Sequence, residues 1–481
     1  MIRIPVEDKL QSYRNLTYRP KIYSADHQPL FSYLSNQKQK FNYRMKFFKV
    51  FIVLILISHL SFAQNVLSLM NRADLFFETM NQGKFDEAHG FFDESVKAQI
   101  SVDELKLFWL KLENSLGTYQ SVDGAKSSVQ GEYFQVILTC GFTKGSQPFT
   151  FMFNKTEKLV GFFISPKATE SEYALPTYAD TTLYSEKEIR IKFAEGEMAG
   201  IFTSPKKVSN FPVVIMIHGS GPSDMDETVG SNKPFKDLAI GLAAQGIGSV
   251  RYVKRSMIYP NSFNNAFTVK EEVLDDALSA ITLASTLQGV NKAQIYLFGH
   301  SLGGMLAPRI ASLAPGLRGI ILAAAPARKF ADLITEQNEY LYKASGDTSS
   351  AGKQQFIESS IDIDKSRLLK LGAIAPDSII LGAPASYWID LNNHDQVGTA
   401  KKIKNRILVV QGAKDFQVSV QDFNIWKTAL ASNTNASFKL YPDLNHLLSP
   451  QKEKGNGTQY RLPANVDINL IKDLAIWIKG K

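Results

Sequence analysis

A serine stands where an apolar run meets a stretch of small residues. Ile295-Tyr296-Leu297-Phe298 leads into Gly299-His300-Ser301-Leu302-Gly303-Gly304, and Met305-Leu306-Ala307 with Ile310-Ala311 follow. The first run reads as a buried parallel strand and the last as a helix, so Ser301 lies on a strand-to-helix turn. G-x-S-x-G in that setting is far more specific than the five-residue pattern alone. A turn this sharp strains the backbone and leaves no room for side chains two positions either way. That is the physical reason for glycine at 299 and 303. A strand that feeds directly into a helix in this way belongs in a parallel sheet covered by helices on both faces.

The rest of the C-terminal half repeats that alternation. Two β-like runs, Ile189 to Phe193 and Met198 to Thr203, lead to Val213-Val214-Ile215-Met216-Ile217, a continuous apolar run suited to a strand buried on both faces. Ile247 to Val253 gives the next strand, and Thr268-Val269-Lys270-Glu271 is a capping box opening a helix to about Leu287. After the elbow come strands at Gly319 to Ala324, Ile407 to Val410 and Phe438 to Tyr441, then a helix from Leu470 to Ile478. The gap between Pro326 and Lys402 is too long for a simple connection. Residues 327–402, with Tyr340, Tyr342, Tyr387 and Trp388, are expected to form a helical lid above the carboxyl ends of the strands. Aromatics in such a segment more often fill its own small core than touch ligand.

The N-terminal half differs. Residues 64–165 start with helical spacing (Leu69, Ala73, Phe76, Phe77, Met80, then Leu105, Phe108, Trp109, Leu112) and change to β-like runs at Tyr133 to Cys140, Phe149 to Phe153 and Leu159 to Ile164. Helices followed by strands make a small α+β domain, joined through a linker at 166–187 to a second domain at 188–481. Cys140 is the chain's single cysteine, and its place after an apolar run marks it as a core residue. The net charge of +8 does not signal nucleic acid. Residues 1–63 hold ten Lys/Arg and three Asp/Glu, which leaves the remainder almost neutral. Met45 to Lys49 is a short basic stretch, Val50 to Ile57 is apolar, and Ser61-Phe62-Ala63 has the small residues of a cleavage site. We therefore expect a signal peptide at 45–63 and a mature start near Gln64, with residues 1–44 a gene-start artefact or disordered extension. The protein would be secreted or periplasmic. The apolar run is too short for a stable membrane anchor.

A serine hydroxyl needs an adjacent base, itself oriented by a carboxylate, before it becomes a nucleophile. Strands and helices alternating around a serine elbow resemble the α/β-hydrolase fold, whose chain order is serine, acid, histidine. Of seven histidines, His27 and His59 lie in the leader, His89 in the small domain, His218 in the loop after Ile217, His300 in the elbow and His394 in the insertion. Only His446 follows the last strand, where the base belongs. Asp415 lies just beyond Val409-Val410 and is the expected acid. Asp422 falls on the following helix, and Asp443 is too near His446 in sequence. The backbone N–H of Leu302, next to the nucleophile, is one oxyanion donor; the second is expected at Ser220, in His218-Gly219-Ser220-Gly221. That loop lacks the third glycine of a dinucleotide site, and no metal-binding motif or cofactor motif is present.

Residues from about 186 to 481 resemble a family of exported bacterial α/β-hydrolase carboxylesterases. The resemblance rests on His218 to Pro222 with Asp226-Glu227-Thr228, Asn232-Lys233-Pro234-Phe235, Arg251 to Arg255, Gly299 to Gly304 with Pro308-Arg309, and Leu444 to Leu447. It implies Ser301 as nucleophile, Asp415 as acid, His446 as base and a small-molecule ester substrate. Val253 stands where the family has aspartate, and Met225 where it has arginine. Residues 66–165 resemble more weakly the uncharacterised small domain that precedes such hydrolases, with the helix-then-sheet order of the nuclear-transport-factor-like cone. Without a paired acid and histidine, this domain reads as a binding or homodimerising module. A serine aminopeptidase would share every catalytic residue, and a catalytically silent binding protein would share the scaffold.

Overall fold

The computed structural model describes residues 66–480 except 131, 132, 166–172, 195, 260–262, 264, 265 and 349. The leader expected at 1–63 lies outside the described residues. Four helices come first, α1 (Val66–Asn81), α2 (Phe85–His89), α3 (Glu94–Lys97) and α4 (Val102–Leu116). They precede an antiparallel meander of β1 (Tyr119–Gln130), β2 (Tyr133–Phe142), β3 (Gly145–Phe153) and β4 (Leu159–Ile164). Ser101 and Glu104 form a reciprocal capping box that starts α4. The apolar faces of α1 and α4 meet the sheet in an aromatic core, where Phe76 touches Phe91, Phe92, Phe151 and Phe162 edge-on. Cys140 is fully buried there on β2, a core position as read. The sequence gives three strands and the structure four. The added β1 is polar and without alternation, and its pairing with β2, from Tyr119 opposite Phe142 to Gln130 opposite Tyr133, holds it in place.

The second part begins earlier than 188. Tyr184 already opens β5 (Tyr184–Phe193), and the stretch before it is fastened down: Tyr173 donates to Asp237 at 2.6 Å and Tyr178 to the Val466 carbonyl at 2.9 Å. After β5 come β6 (Gly196–Pro205), β7 (Phe211–Ile217), α5 (Pro234–Ala244), β8 (Gly248–Tyr252), α6 (Arg255–Ile258), α7 (Asp275–Ala284), β9 (Val290–His300), α8 (Leu302–Leu313) and β10 (Gly319–Ala323). The insertion follows as α9 (Phe330–Ser345), α10 (Ser350–Leu368), the β11–β12 ladder (Ile379–Ile380 with Ala383–Pro384), α11 (Ala385–Asn393) and α12 (Gln396–Lys402). The chain closes with β13 (Arg406–Gly412), α13 (Val420–Ala429), β14 (Ala436–Tyr441) and α14 (Ile468–Lys479). Half of the expected capping box forms: Glu271 Oε2 accepts from the Thr268 N–H and hydroxyl, but Thr268 Oγ1 takes the Lys270 N–H in place of that of Glu271, and a π-turn over Lys270–Leu274 leads into α7.

Eight strands form one sheet in the order β14-β13-β10-β9-β7-β8-β6-β5, parallel from β14 to β8 and antiparallel at β6 and β5. Pleating sorts β7 between the two layers. Val213, Ile215 and Ile217 face the core with α7 and α8, and Val214 and Met216 face the core with α5 and α14. All seven β7 residues are buried, each large one contributing roughly 1.5–3 kcal/mol. Register aligns the carboxyl ends: Ile217 lies opposite Gly299, and His300 and Val410 both lie opposite Ala323. Loops leaving β7, β9, β13 and β14 thus emerge along one edge, where open α/β sheets carry their sites. Among the described residues, no helix is long and apolar enough to cross a membrane.

Candidate active site

Ser301 is the residue between β9 and α8, with φ 51° and ψ −118°. A non-glycine residue held there stores about 1–3 kcal/mol, which the packing on either side must offset. That packing is made of backbone. A Cβ added at Gly299 would run into the Gly303 carbonyl, and one at Gly303 into the carbonyls of Ile217 and His218. The Ser301 N–H donates to the Ala323 carbonyl at 2.9 Å, which ties the turn to β10. The Leu302 N–H belongs to the first turn of α8, where backbone donors have no acceptor within the helix.

Asp415, three residues beyond β13, and His446, five beyond β14, come together at 2.8 Å between Oδ2 and Nδ1. Both are buried. Asp415 Oδ1 accepts the N–H groups of Gln417 and Val418 at 2.7 and 2.9 Å, and Gln411 Nε2 donates to Oδ2 at 3.1 Å. Only the carboxylate can accept from all of these donors, so Nδ1 carries a proton and donates it to Oδ2. No hydrogen bond joins Ser301 Oγ to His446 among the described residues. Such links are commonly open before substrate binds.

The loop after β7 is held from two sides. Gly219 N–H donates to Glu227 Oε1 at 2.6 Å, so it is not available to an oxyanion. Lys254 Nζ donates to the Gly219 and Gly221 carbonyls, both at 2.9 Å, and to Glu272 Oε1 at 2.6 Å. A trans peptide sets its N–H opposite its C=O, so the Ser220 N–H points away from Lys254. Gly219 itself lies against the serine: a Cβ there would sit 3.2 Å from Ser301 Cβ. Glu272 Oε2 in turn accepts from Tyr387 Oη at 2.7 Å, joining the insertion to this loop. Val253 and Met225, the two departures noted in the sequence, are half-buried.

The other candidates have structural tasks. Asp422 is fully buried, accepts the Ala327 and Arg328 N–H groups and pairs with the Arg328 guanidinium at 2.7 Å, fixing the base of the insertion. Asp443 is exposed. His218 holds the Asp224 carbonyl at 2.9 Å, and burial pushes its pKa down to about 4, so it is neutral. His394 reaches the Met305 carbonyl and His89 the Ile100 carbonyl. The lid aromatics divide. Tyr342 stacks on Phe356 inside the insertion, whereas Tyr340 stacks on Phe416, part of an apolar cluster with Leu447 and Tyr460 that flanks Asp415 and His446. Sequence reasoning left Glu227, Lys254 and Glu272 without a role. The available signal was a run of charges next to a glycine loop at a strand end.

Comparison with known proteins adds the following. Residues 73–162 match the family described as a protein of unknown function, DUF3887. Over 406 residues, 84% of this chain and 94% of the relative, the sequence is 34% identical to Esterase EstD of Thermotoga maritima. Among solved structures the chain is similar to Est1E from Butyrivibrio proteoclasticus, with TM-score 0.40 and 15% identity over 61% of this chain and 99% of that one. It is also similar to the esterase PF2001 of Pyrococcus furiosus, with TM-score 0.41 and 13% identity over 64% and 96%.

Proposed function

The chain belongs to the family of Esterase EstD, and from that premise we propose that it is an ester hydrolase in which Ser301 is the nucleophile, His446 the base and Asp415 the acid. The observation that carries this reading is the buried Asp415–His446 pair on the same sheet edge as a strained serine elbow. Asp415 fixes the tautomer, His446 Nε2 takes the Ser301 Oγ proton, and Oγ attacks the ester carbonyl carbon. The oxyanion is received by the N–H groups of Leu302 and Ser220, each such donor being worth roughly 3–4 kcal/mol. Collapse expels the alcohol, protonated by His446, and leaves an acyl-enzyme. Water, deprotonated by His446, then releases the acid.

The test sets p-nitrophenyl acetate against aminoacyl-p-nitroanilides and adds a fluorophosphonate probe. Ester turnover with covalent labelling of Ser301 is expected. Anilide turnover without ester turnover would make the protein a peptidase, and no labelling at all would make it a silent scaffold.

A further inference from the structure

Glu227 and His300 lie beneath the site, and neither has a part in the triad. Both are fully buried in the sense that matters here, at 6% and 4% exposure, and their side chains face one another. Glu227 Oε1 accepts the Gly219 N–H at 2.6 Å, and Oε2 lies 2.9 Å from His300 Nδ1. His300 Nε2 lies 2.8 Å from the backbone carbonyl of His446. A chain of contacts therefore runs from the oxyanion loop, through an acid and the residue before the nucleophile, to the backbone of the base.

The chemistry of these contacts sets a protonation state. A carbonyl only accepts, so Nε2 must carry a proton. A proton must also lie between Nδ1 and Oε2, because two lone pairs 2.9 Å apart would repel, and of the two the imidazole is the stronger base and takes it. His300 is then an imidazolium and Glu227 a carboxylate. The Nδ1–Oε2 contact is an ion pair that bends away from hydrogen-bond geometry, and neither atom has another hydrogen bond among the described residues. Glu227 is held for this task at φ 54°, in the left-handed region. The Asp224 carboxylate winds that turn by accepting the N–H groups of Asp226 and Thr228 and the Thr228 hydroxyl.

We propose that Glu227 and His300 are positioning residues, a buried carboxylate–imidazolium clamp that holds the Gly219–Ser220 peptide and the His446 loop in register around Ser301. This rests on the reading of Ser301, Asp415 and His446 as the triad. Loss of the His300 proton turns a lone pair toward Glu227, frees the Gly219 peptide to shift, and slows acylation.

The facing groups agree on direction. Around His300 lie Glu227, Asp415 and the His446 ring, whose centroid is 4.7 Å away. Burial lowers the His300 pKa, but the Glu227 charge, the His446 carbonyl and Asp415 outweigh it, and the net shift is upward. Around Glu227 lie His300, the neutral His218 and the Gly219 N–H; burial raises its pKa, and the His300 charge with the Gly219 hydrogen bond outweighs it, for a net shift downward. The sign follows for each. The raised His300 pKa makes its contribution complete below the unfolded value near 6.5 and lost as pH rises through the folded value. The lowered Glu227 pKa makes its contribution complete above about 4.3 and lost as pH falls through the folded value. The clamp is therefore closed between the two folded values and opens as pH rises through that of His300.

Glu227→Gln tests this, because the amide oxygen can keep the Gly219 N–H while its NH2 meets a neutral His300. The expected result is a kcat lower by roughly 10- to 100-fold, the cost of modest misplacement, with KM within about twofold. The alkaline fall in the fluorophosphonate labelling rate, present in the parent protein, should vanish in the variant. Nitrogen-15 histidine spectra should show His300 doubly protonated at neutral pH in the parent and singly protonated in Glu227→Gln. Parent protein labelled at Ser301, together with a variant of unchanged kcat and unchanged pH profile, overturns the clamp and leaves the triad standing. If Glu227→Gln does not fold, the parent alone decides. A singly protonated His300 at neutral pH, or a labelling rate flat from about pH 7 to about pH 10, refutes the proposal. Parent protein that Ser301-directed probes never label refutes the underlying triad instead.

Discussion

Asp415 and Asp422 stand seven residues apart, both buried, and the structure gives them tasks that one pair of substitutions separates. In Asp415→Asn the new oxygen must occupy the Oδ1 site, because two backbone N–H groups point at it. The NH2 then faces His446 Nδ1 and Gln411 Nε2. His446 can satisfy it only by accepting at Nδ1, which moves the ring proton to Nε2 and removes the base. Where this change has been made in a serine triad the loss in kcat is about 10⁴, or about 5 kcal/mol of barrier at 1.36 per decade. Asp422→Asn keeps its acceptor for the Ala327 and Arg328 N–H groups and loses the ion pair. Arg328 is 15% exposed and retains Glu336 at 2.6 Å, so the cost sits at the low end for a broken buried pair, about 3 kcal/mol. In a domain of this size that is roughly a 6 °C fall in Tm. The assay is p-nitrophenyl acetate turnover well below both midpoints, with thermal unfolding measured in parallel. Asp415→Asn should lose turnover with little change in Tm, and Asp422→Asn the reverse. Asp415→Asn within tenfold of the parent, or Asp422→Asn inactive while folded, refutes the assignment.

Ser301→Ala should abolish ester turnover and fluorophosphonate labelling while leaving Tm unchanged or slightly raised, and its effect should not add to that of His446→Ala; retained turnover would remove Ser301 from the mechanism. Gly303→Ala must push α8 off the Ile217 and His218 carbonyls, so it should cost about 3 kcal/mol and the activity, whereas Gly316→Ala, with open space around it, should cost neither. Equal unfolding midpoints for the two glycine variants would mean that the elbow is not close-packed. Export is our further proposal from the leader's charge and apolar pattern, and N-terminal sequencing of exported protein should begin at or near Gln64. Cytoplasmic protein that retains residues 46–63 would refute it.

How much of the fold could be read in advance depended on what each strand touches. β7 and the second half of β9, from Ile295 to Phe298, are buried on both faces, so their residues are apolar without interruption and the strands announce themselves. β1 carries Tyr119-Gln-Ser-Val-Asp-Gly-Ala-Lys-Ser-Ser-Val-Gln, in which no period-two pattern exists, and it is a strand because β2 lies beside it. The same cause moved the start of the second domain. Tyr184-Ser-Glu-Lys reads as linker, yet it pairs residue by residue with β6 as far as Pro205. Edge strands are specified by their neighbours, and a neighbour is not visible in a local window.

The site divides along a similar line. Gly299, Ser301 and Gly303 are legible because the clash that demands glycine is set by residues within a few positions, on a turn that local geometry defines. The pairing of Asp415 with His446 is legible because the order of strands limits where each can be, even though 31 residues separate them. Glu227 has neither advantage. An acid eight residues past Gly219 resembles any solvated loop charge, and its burial depends on a left-handed turn wound by Asp224. His300 was passed over because elimination asked only which histidine could be the base. Pleating answers a different question: residues 296, 298 and 300 share one face of β9, opposite in sense to the neighbours that feed α8. A histidine at that position cannot reach the substrate side with Ser301, and must meet whatever lies under the turn. Here that is a carboxylate and a carbonyl, both acceptors, so the residue that looked spare in the motif is the one whose charge the fold has to provide for.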